Sequence, residues 1–205
     1  MFGNILLAGF SFSQHFVGIV TRPYETYRRI VDRATAFELL YIGVCVFVYL
    51  ALASAVKQSL FHPFLLTQQF ILLGAGVLVT FILADGLFWQ VGKWLGATGG
   101  WRGFTVAWGY TLIPTFVWFL GTSILYLVLP PPRTTSMLGI TFSVVFLLFS
   151  ATLLFWKIIL SYLALRFGLR LDLMKILVVS VIVLPILGLY SVGMYKLGLF
   201  RVPFI

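Results

Sequence analysis

Charged residues are scarce in this sequence. Only 9% of its 205 residues are Asp, Glu, Lys or Arg, and five of these are acidic, whereas about 25% of a soluble domain is charged. Apolar residues make up 61% of the chain, and the mean hydropathy is +1.10. Because a water-soluble fold of this size cannot bury so much apolar surface, the composition excludes a soluble globular protein and predicts one that lies in a bilayer.

Residues used in metal binding and covalent catalysis are also few. There is one cysteine, Cys45, and the two histidines, His15 and His62, are far apart in the sequence, which excludes an intramolecular disulfide and a zinc cluster. No predicted membrane span contains a histidine, the HExxH motif is absent, and Asp85 is the single aspartate within a span. Intramembrane proteolysis is therefore unsupported. We predict a protein that is not an enzyme and has no metal or cofactor.

Long apolar runs dominate what is present. Five of them are long enough to cross about 30 Å of hydrocarbon as helices. They cover Ala36–Val56, Phe64–Val91, Phe104–Leu129, Gly139–Leu165 and Ile176–Leu199. We predict an all-α integral membrane protein, a bundle of five transmembrane helices formed by residues 36–205. Residues 1–35 are predicted to be a cytoplasmic N-terminal segment, and we expect no signal peptide there because residues 1–20 lack Lys and Arg.

The distribution of the 14 basic residues predicts the orientation. Nine lie beside the ends of spans that share a side with residues 22–33, four lie on the opposite side, and Lys157 falls within a span. Since cytoplasmic loops carry the excess of Lys and Arg, we predict a cytoplasmic N-terminus and an outer C-terminus. Basic residues that flank apolar runs are typical of contact with the bilayer and its anionic headgroups. No basic stretch has the exposed polar scaffold of a nucleic-acid site, so nucleic acid is excluded as a partner.

The segment before the first predicted span favours a short amphipathic helix. Pro23 suits a first helical turn, and Pro23, Tyr27, Ile30 and Ala34 share one face. We expect this helix to lie in the cytoplasmic membrane interface, and a cap packed on the bundle is the alternative. Its arginines and two beyond the fourth span define a predicted cytoplasmic basic face, consisting of Arg22, Arg28, Arg29, Arg33, Arg166 and Arg170.

Three segments carry a family resemblance. They are the basic lead-in Arg22–Arg29, the glycine-rich link Gly92–Gly103 and the GYxLxP motif within Trp108–Pro114. In this order and spacing the chain resembles the Yip family, the Ypt/Rab-interacting membrane proteins and their prokaryotic relatives. The resemblance implies a five-helix bundle with a cytoplasmic N-terminus, and eukaryotic members are associated with membrane trafficking, Rab GTPase binding and membrane shaping.

The chain departs from those eukaryotic members in two ways. It lacks their long cytoplasmic N-terminal region and contains no DLYGP motif, so GTPase binding does not carry over. The resemblance is closer to small prokaryotic members, which implies a prokaryotic plasma membrane. The glycine-rich link lacks the GxxxxGK[ST] pattern of a phosphate-binding loop, and we predict a flexible turn there.

Charged side chains inside spans are costly, about 2.5–3.5 kcal/mol at a helix centre, and therefore mark candidate functional residues. Asp85 and Lys157 lie in the second and fourth predicted spans, at depths that agree within about 3 Å. Tyr110 falls at the same level and Glu38 somewhat closer to the cytoplasm. We predict an intramembrane polar layer of Asp85, Tyr110, Lys157 and Glu38, with a direct Asp85–Lys157 pair. Such a layer either fixes helix register or binds an ion, a proton or a lipid headgroup.

Two functions follow from these features. The first is a non-enzymatic membrane-organising or adaptor role through helix packing and the basic face, with a protein partner or a second copy of the chain. Small residues such as Gly74, Ala75 and Gly76 permit the close helix contacts that this role needs. The alternative is a small transporter or channel component that uses the polar layer.

Overall fold

A computed structural model describes residues 2–33, 35–56, 68–128 and 137–198. These residues form helices and no strand, which confirms the all-α fold. The helices are α1 Phe2–Thr21, α2 Pro23–Arg33, α3 Glu38–Val56, α4 Gln68–Trp94, α5 Trp101–Tyr110, α6 Ile113–Val128, α7 Met137–Leu163 and α8 Leu173–Lys196, with a π-helical segment Ala164–Gly168 that continues α7. Residues 64–67, Leu129 and Leu199, which belong to predicted spans, lie outside the described residues.

Four stretches of the described chain are long and apolar enough to cross a membrane, and the protein is an integral membrane protein. They are Gly74–Trp94, Trp101–Leu125, Met137–Gly168 and Leu173–Lys196, and they overlap the second to fifth predicted spans. The first predicted span corresponds to α3, whose apolar stretch Glu38–Ala51 is shorter than the other four. A bundle of five spans therefore stays a prediction.

Helix α1 is the largest departure from the predicted architecture. It is an apolar helix of 20 residues, within a segment that was expected to be a cytoplasmic extension. Leu6, Phe10 and Val17 are exposed on its outer face, while Ile19 is fully buried on the inner face. Apolar residues on both faces are typical of a helix that contacts protein on one side and lipid on the other. The division into residues 1–35 and 36–205 stays a prediction.

Helix α2 packs against protein along the face that was predicted to enter the membrane interface. Thr26, Tyr27 and Ile30 are buried, and α2 contacts α1, α5 and the π-helical segment. Burial raises the pKa of the Tyr27 phenol well above its usual value, so Tyr27 remains neutral. Helix α2 thus packs on the bundle as a cap along this face, and its position in the membrane interface stays a prediction.

The buried core is concentrated at one end of the molecule, in two clusters. The first lies where α1, α2, α3, α5, α6 and the end of α7 meet, and contains Ile19, Tyr27, Ile30, Ile42, Val106, Ala107, Tyr110, Ile113, Leu160, Leu163 and Ala164. The second joins α4, α5, the π-helical segment and α8, and contains Phe88, Val91, Ala97, Phe104, Leu165, Leu169, Leu171, Ile176, Val179 and Val183. Along α7, by contrast, large apolar side chains such as Leu147 and Phe155 are exposed, as lipid-facing residues are.

The glycine-rich link between α4 and α5 is part of this packed end. The Gly99 backbone N–H donates to the Leu169 carbonyl at 3.2 Å, and a Cβ on Gly99 would lie 1.8 Å from the Gly168 carbonyl oxygen. These glycines permit two backbones to touch, and the flexibility of this turn stays a prediction. The contact fixes the π-helical segment against the start of α5.

A break in the third predicted span determines where Tyr110 lies. Helix α5 ends at Tyr110, and α6 begins at Ile113 after a turn at Thr111 and Leu112. Pro114, the second residue of α6, has no N–H to donate to the Tyr110 carbonyl, so a continuous helix cannot pass this point without losing a hydrogen bond. The Tyr110 side chain consequently lies at a helix end, beside the first turn of α3.

Candidate functional site

A buried polar cluster joins α1, α3 and α5. The Glu38 Oε2 atom accepts hydrogen bonds from Tyr110 Oη at 2.6 Å and from His15 Nδ1 at 2.8 Å. The Thr35 backbone N–H donates to Oε1 at 3.3 Å. Glu38 is 1% exposed, His15 6% and Tyr110 0%. We call His15, Glu38 and Tyr110 the polar cluster.

The arrangement suits an ionised Glu38. Two side-chain donors converge on one carboxylate oxygen, and bonds of this length are typical of charge-assisted hydrogen bonds. In its hydrogen bond to Glu38 the Nδ1 atom of His15 is the donor. Both the neutral ring with its proton on Nδ1 and the imidazolium can donate in this way. Phe12 stacks between Tyr41 and Tyr110, with centroid distances of 5.8 and 5.9 Å. The cluster therefore ties α1 to the bundle through polar bonds that apolar rings shield.

The other two residues of the predicted polar layer lie elsewhere. Lys157 Nζ donates to Thr115 Oγ1 at 2.8 Å, and Asp85 Oδ2 accepts from Thr105 Oγ1 at 2.9 Å. Asp85 and Lys157 do not form an ion pair with each other in the described part of the chain. The prediction of a direct pair is therefore wrong. The reason is lateral position: α4 packs against α8 and α5, whereas α7 packs against α6. Equal depth in the membrane does not make two helices neighbours.

Asp85 keeps an unusual environment. It is 2% exposed, and its Oδ1 atom has no hydrogen-bond partner among the described residues. The Thr105 hydroxyl is also 3.0 Å from the Trp101 carbonyl oxygen, and one hydroxyl proton cannot serve both acceptors fully. The Thr105 hydroxyl is therefore shared between Asp85 Oδ2 and the Trp101 carbonyl oxygen.

Sequence reasoning missed His15 because the first 20 residues were not assigned to the membrane domain. A signal was present: Phe12, Phe16 and Ile19 recur at helical spacing around it. These residues form the inner face of α1 and pack against the first core cluster. His62 lies outside the described residues.

A basic cleft of about 200 Å³ opens between α2 and the π-helical segment. It is lined by Arg28, Val31 and Asp32 from one side and by Arg166, Phe167 and Arg170 from the other. Three residues of the predicted basic face are thus brought together. None of the three arginines forms an ion pair within the described part of the chain, even with Asp32.

The remaining residues of the predicted basic face do not line this cleft. Arg22 pairs with Glu25 at 3.8 Å, and both side chains are strongly exposed. Arg29 and Arg33 are exposed on α2. The six arginines therefore divide into three that line the basic cleft and three that are exposed elsewhere on α2 or just before it.

Arg170 has a strained backbone beside this cleft. Its φ is +56°, and within the described ranges it is the only residue other than glycine with a positive φ. It follows Leu169, which caps the π-helical segment, at a position where glycine commonly ends a helix. A left-handed conformation costs a non-glycine residue about 1–2 kcal/mol. Phe167 packs edge-to-face on Tyr24 at 4.8 Å and fixes this segment to α2.

Comparison with known families identifies the domain. A model of the Yip1 domain matches residues 17–195. The chain belongs to the Yip1 domain family. No curated protein and no solved structure matches the chain. In this Yip1-domain protein the matched region contains Glu38, Tyr110 and the basic cleft, while His15 precedes it by two residues.

Proposed function

We propose that this Yip1-domain protein is a non-enzymatic membrane-organising or adaptor protein, with the basic face as its working surface. The carrying observation is the convergence of Arg28, Arg166 and Arg170 on one cleft at the densely packed end of the bundle. Cations without a carboxylate partner attract anionic headgroups or an acidic protein surface. The proposal includes the orientation derived from the charge bias, with this end in the cytoplasm.

The packing of the segment that carries Arg166 and Arg170 favours specific binding of a partner over non-specific electrostatic attraction. The contact of Gly99 with Gly168 and the packing of Phe167 on Tyr24 hold the π-helical segment in one position. Charges held on rigid elements discriminate between partners better than charges on mobile loops, because less side-chain and backbone ordering is needed on binding.

Affinity purification from native membranes tests the adaptor role. The double variant Arg28→Gln, Arg166→Gln, which changes two arginines of the basic cleft, is compared with the control double variant Arg102→Gln, Lys175→Gln, which removes equal charge from exposed residues on the same side. We expect a near-stoichiometric partner, quantified by mass spectrometry, that is lost from the first variant and retained by the second. Equal recovery from both variants, or the absence of any stoichiometric partner from the unmodified protein, would contradict the proposal.

A second candidate function is transport, and Asp85 is the observation that favours it. A buried carboxyl with one unpartnered oxygen is a candidate proton or ion site within a membrane helix. If Asp85 carries this function, the Asp85→Asn protein in liposomes loses a flux that the unmodified protein supports. Equal flux from both proteins excludes Asp85 as a transport site.

A further inference from the structure

We infer that the basic cleft binds the phosphomonoester group of a membrane lipid. This inference rests on the proposed function, since it names the ligand of part of the same basic face. Three observations support it: the cavity between α2 and the π-helical segment, the three arginines that line this cavity, and its position at the ends of two membrane spans.

The charge of the basic cleft favours a monoester over a diester. Three arginines and one aspartate line it, which gives a formal charge of +2. A phosphomonoester carries about −1.5 to −2 charges at pH 7, whereas a diester carries a single negative charge. Planar guanidinium groups bind phosphate oxygens through paired hydrogen bonds, so the three arginines can surround an end-on phosphate.

The size of the basic cleft agrees with this ligand. A volume of about 200 Å³ exceeds several-fold the share of about 30 Å³ that one water molecule occupies in the liquid. It accommodates one phosphate group and part of its hydration shell.

The position of the cleft points to a lipid as the source of the phosphate. Arg166 lies at the end of the span Met137–Gly168, and Arg170 lies before the span Leu173–Lys196. Residues at the ends of spans lie at the level of the lipid headgroups. A phosphate in the cleft is therefore at the depth where lipid phosphates occur.

The backbone of Arg170 supports a role for its side chain. A glycine at this position would remove the strain of φ +56°, yet the chain carries an arginine whose side chain lines the cleft. Backbone strain of this kind clusters at functional sites. The guanidinium of Arg170 is thus the group that a change to glycine would remove while relieving the backbone.

Lipid binding to the purified full chain tests the inference. The protein in detergent micelles is titrated with phosphatidic acid, a monoester, or with phosphatidylglycerol, a diester, and bound lipid is counted by native mass spectrometry. We expect phosphatidic acid to bind about tenfold more tightly. The double variant Arg28→Gln, Arg166→Gln should lose about tenfold in affinity for phosphatidic acid.

The matched control is Arg29→Gln, Arg102→Gln, which removes the same charge from exposed residues outside the cleft. We expect this control to retain its affinity for phosphatidic acid within about twofold, since these side chains contribute only screened attraction. Equal weakening of both double variants would replace the specific site with general charge attraction and overturn the inference. Equal binding of the two lipids by the unmodified protein would also overturn it.

The variant Arg170→Gly separates binding from folding. We expect its melting temperature to rise or stay unchanged, because the strain is removed, while its affinity for phosphatidic acid falls. A stable Arg170→Gly protein with unchanged affinity would overturn the inference for this residue set.

Inorganic phosphate distinguishes the source of the group. If inorganic phosphate at millimolar concentration fails to displace phosphatidic acid, the ligand is a lipid. If inorganic phosphate displaces phosphatidic acid at a concentration equal to that of the lipid, the cleft binds a soluble phosphate and the lipid source is overturned. The outcome can be told apart from that of the adaptor test: an Arg28→Gln, Arg166→Gln protein that loses its partner but binds phosphatidic acid normally would leave the adaptor role standing and the inference refuted.

Discussion

At the scale of single residues, Glu38 determines how α1 is attached. Its Oε2 atom accepts from both Tyr110 and His15, and the amide of Glu38→Gln has one neutral oxygen for these two donors. We expect this substitution to lower the free energy of unfolding by about 1.5–3 kcal/mol, the range for a hydrogen bond to a charged group. Unfolding of the purified protein in a denaturing detergent, followed by tryptophan fluorescence, measures the change.

Tyr110→Phe is the graded comparison for Glu38. It removes one hydroxyl donor and retains the ring, so we expect a smaller loss of about 1 kcal/mol. Combining Glu38→Gln with His15→Phe should give a loss smaller than the sum of the two single losses, since both remove the same bond. Strictly additive losses would show that the bond between His15 and Glu38 contributes nothing to stability.

Residue positions along a helix were more predictable than residue pairs. Tyr110 and Glu38 were assigned to one polar layer from the rise per residue, and their side chains do form a hydrogen bond. The pairing of Asp85 with Lys157 failed because it also needs the lateral order of the helices. Apolar residues surround these membrane helices on all sides, so the hydropathy pattern does not show which face turns toward which neighbour.

Gly99 gives another prediction at this scale. A Cβ on Gly99 would meet the Gly168 carbonyl oxygen at 1.8 Å, whereas one on the adjacent Gly100 has no atom within 4 Å. We expect Gly99→Ala to lower the free energy of unfolding by at least about 1–3 kcal/mol, the cost of overpacking, because the obstacle is backbone. Gly100→Ala is the matched control and should leave the melting temperature nearly unchanged. Equal stability of both variants would contradict the close backbone contact.

At the scale of helices, four of the predicted spans could be recognised because each has a long apolar run between charged ends. The start of α8, for example, follows Arg170 and Asp172. Helix α1 was missed because it lies directly before the basic segment that resembles a family lead-in, and was therefore assigned with that segment to the N-terminal extension. Pro114 lies at the break between α5 and α6, but proline alone does not predict a break, since α8 continues through Pro185. The π-helical segment had no such signal in the sequence.

Cys45 reports on the packing of α1. It is the only cysteine of the chain, and together with Phe12 and Phe16 of α1 it lines a small apolar cavity. We expect Phe12→Ala to speed the reaction of Cys45 with N-ethylmaleimide several-fold, because the ring that covers the cavity is removed. The rate is measured by mass spectrometry of the purified protein.

Phe10→Ala is the matched control for this experiment. Phe10 lies on the same helix but is 66% exposed, so its removal should leave the reaction rate of Cys45 unchanged. Equal acceleration by both variants would mean that α1 loosens as a whole, and that Phe12 does not cover Cys45.

At the scale of the whole molecule, packing and charge coincide at one end. Both core clusters, the glycine-rich link and the basic cleft lie at the end that contains α2 and the π-helical segment. The sequence predicted which basic residues share this side but not that three of them form a cleft. That grouping depends on the contact of α2 with the π-helical segment, which brings together residues more than 130 positions apart.

The orientation of this end is the prediction that connects the fold to its proposed use. Nine basic residues on this side against four on the other predict that it faces the cytoplasm. Thr98 and Asp172 are exposed at this end and Leu197 at the other, so each is changed singly to cysteine in a Cys45→Ser background. In intact cells an impermeant maleimide should label Leu197→Cys and neither of the other two, and in inverted vesicles the pattern should reverse. Labelling of Thr98→Cys and Asp172→Cys from outside would show that the basic cleft faces away from the cytoplasm. An adaptor or lipid-binding role at the inner leaflet would then be excluded.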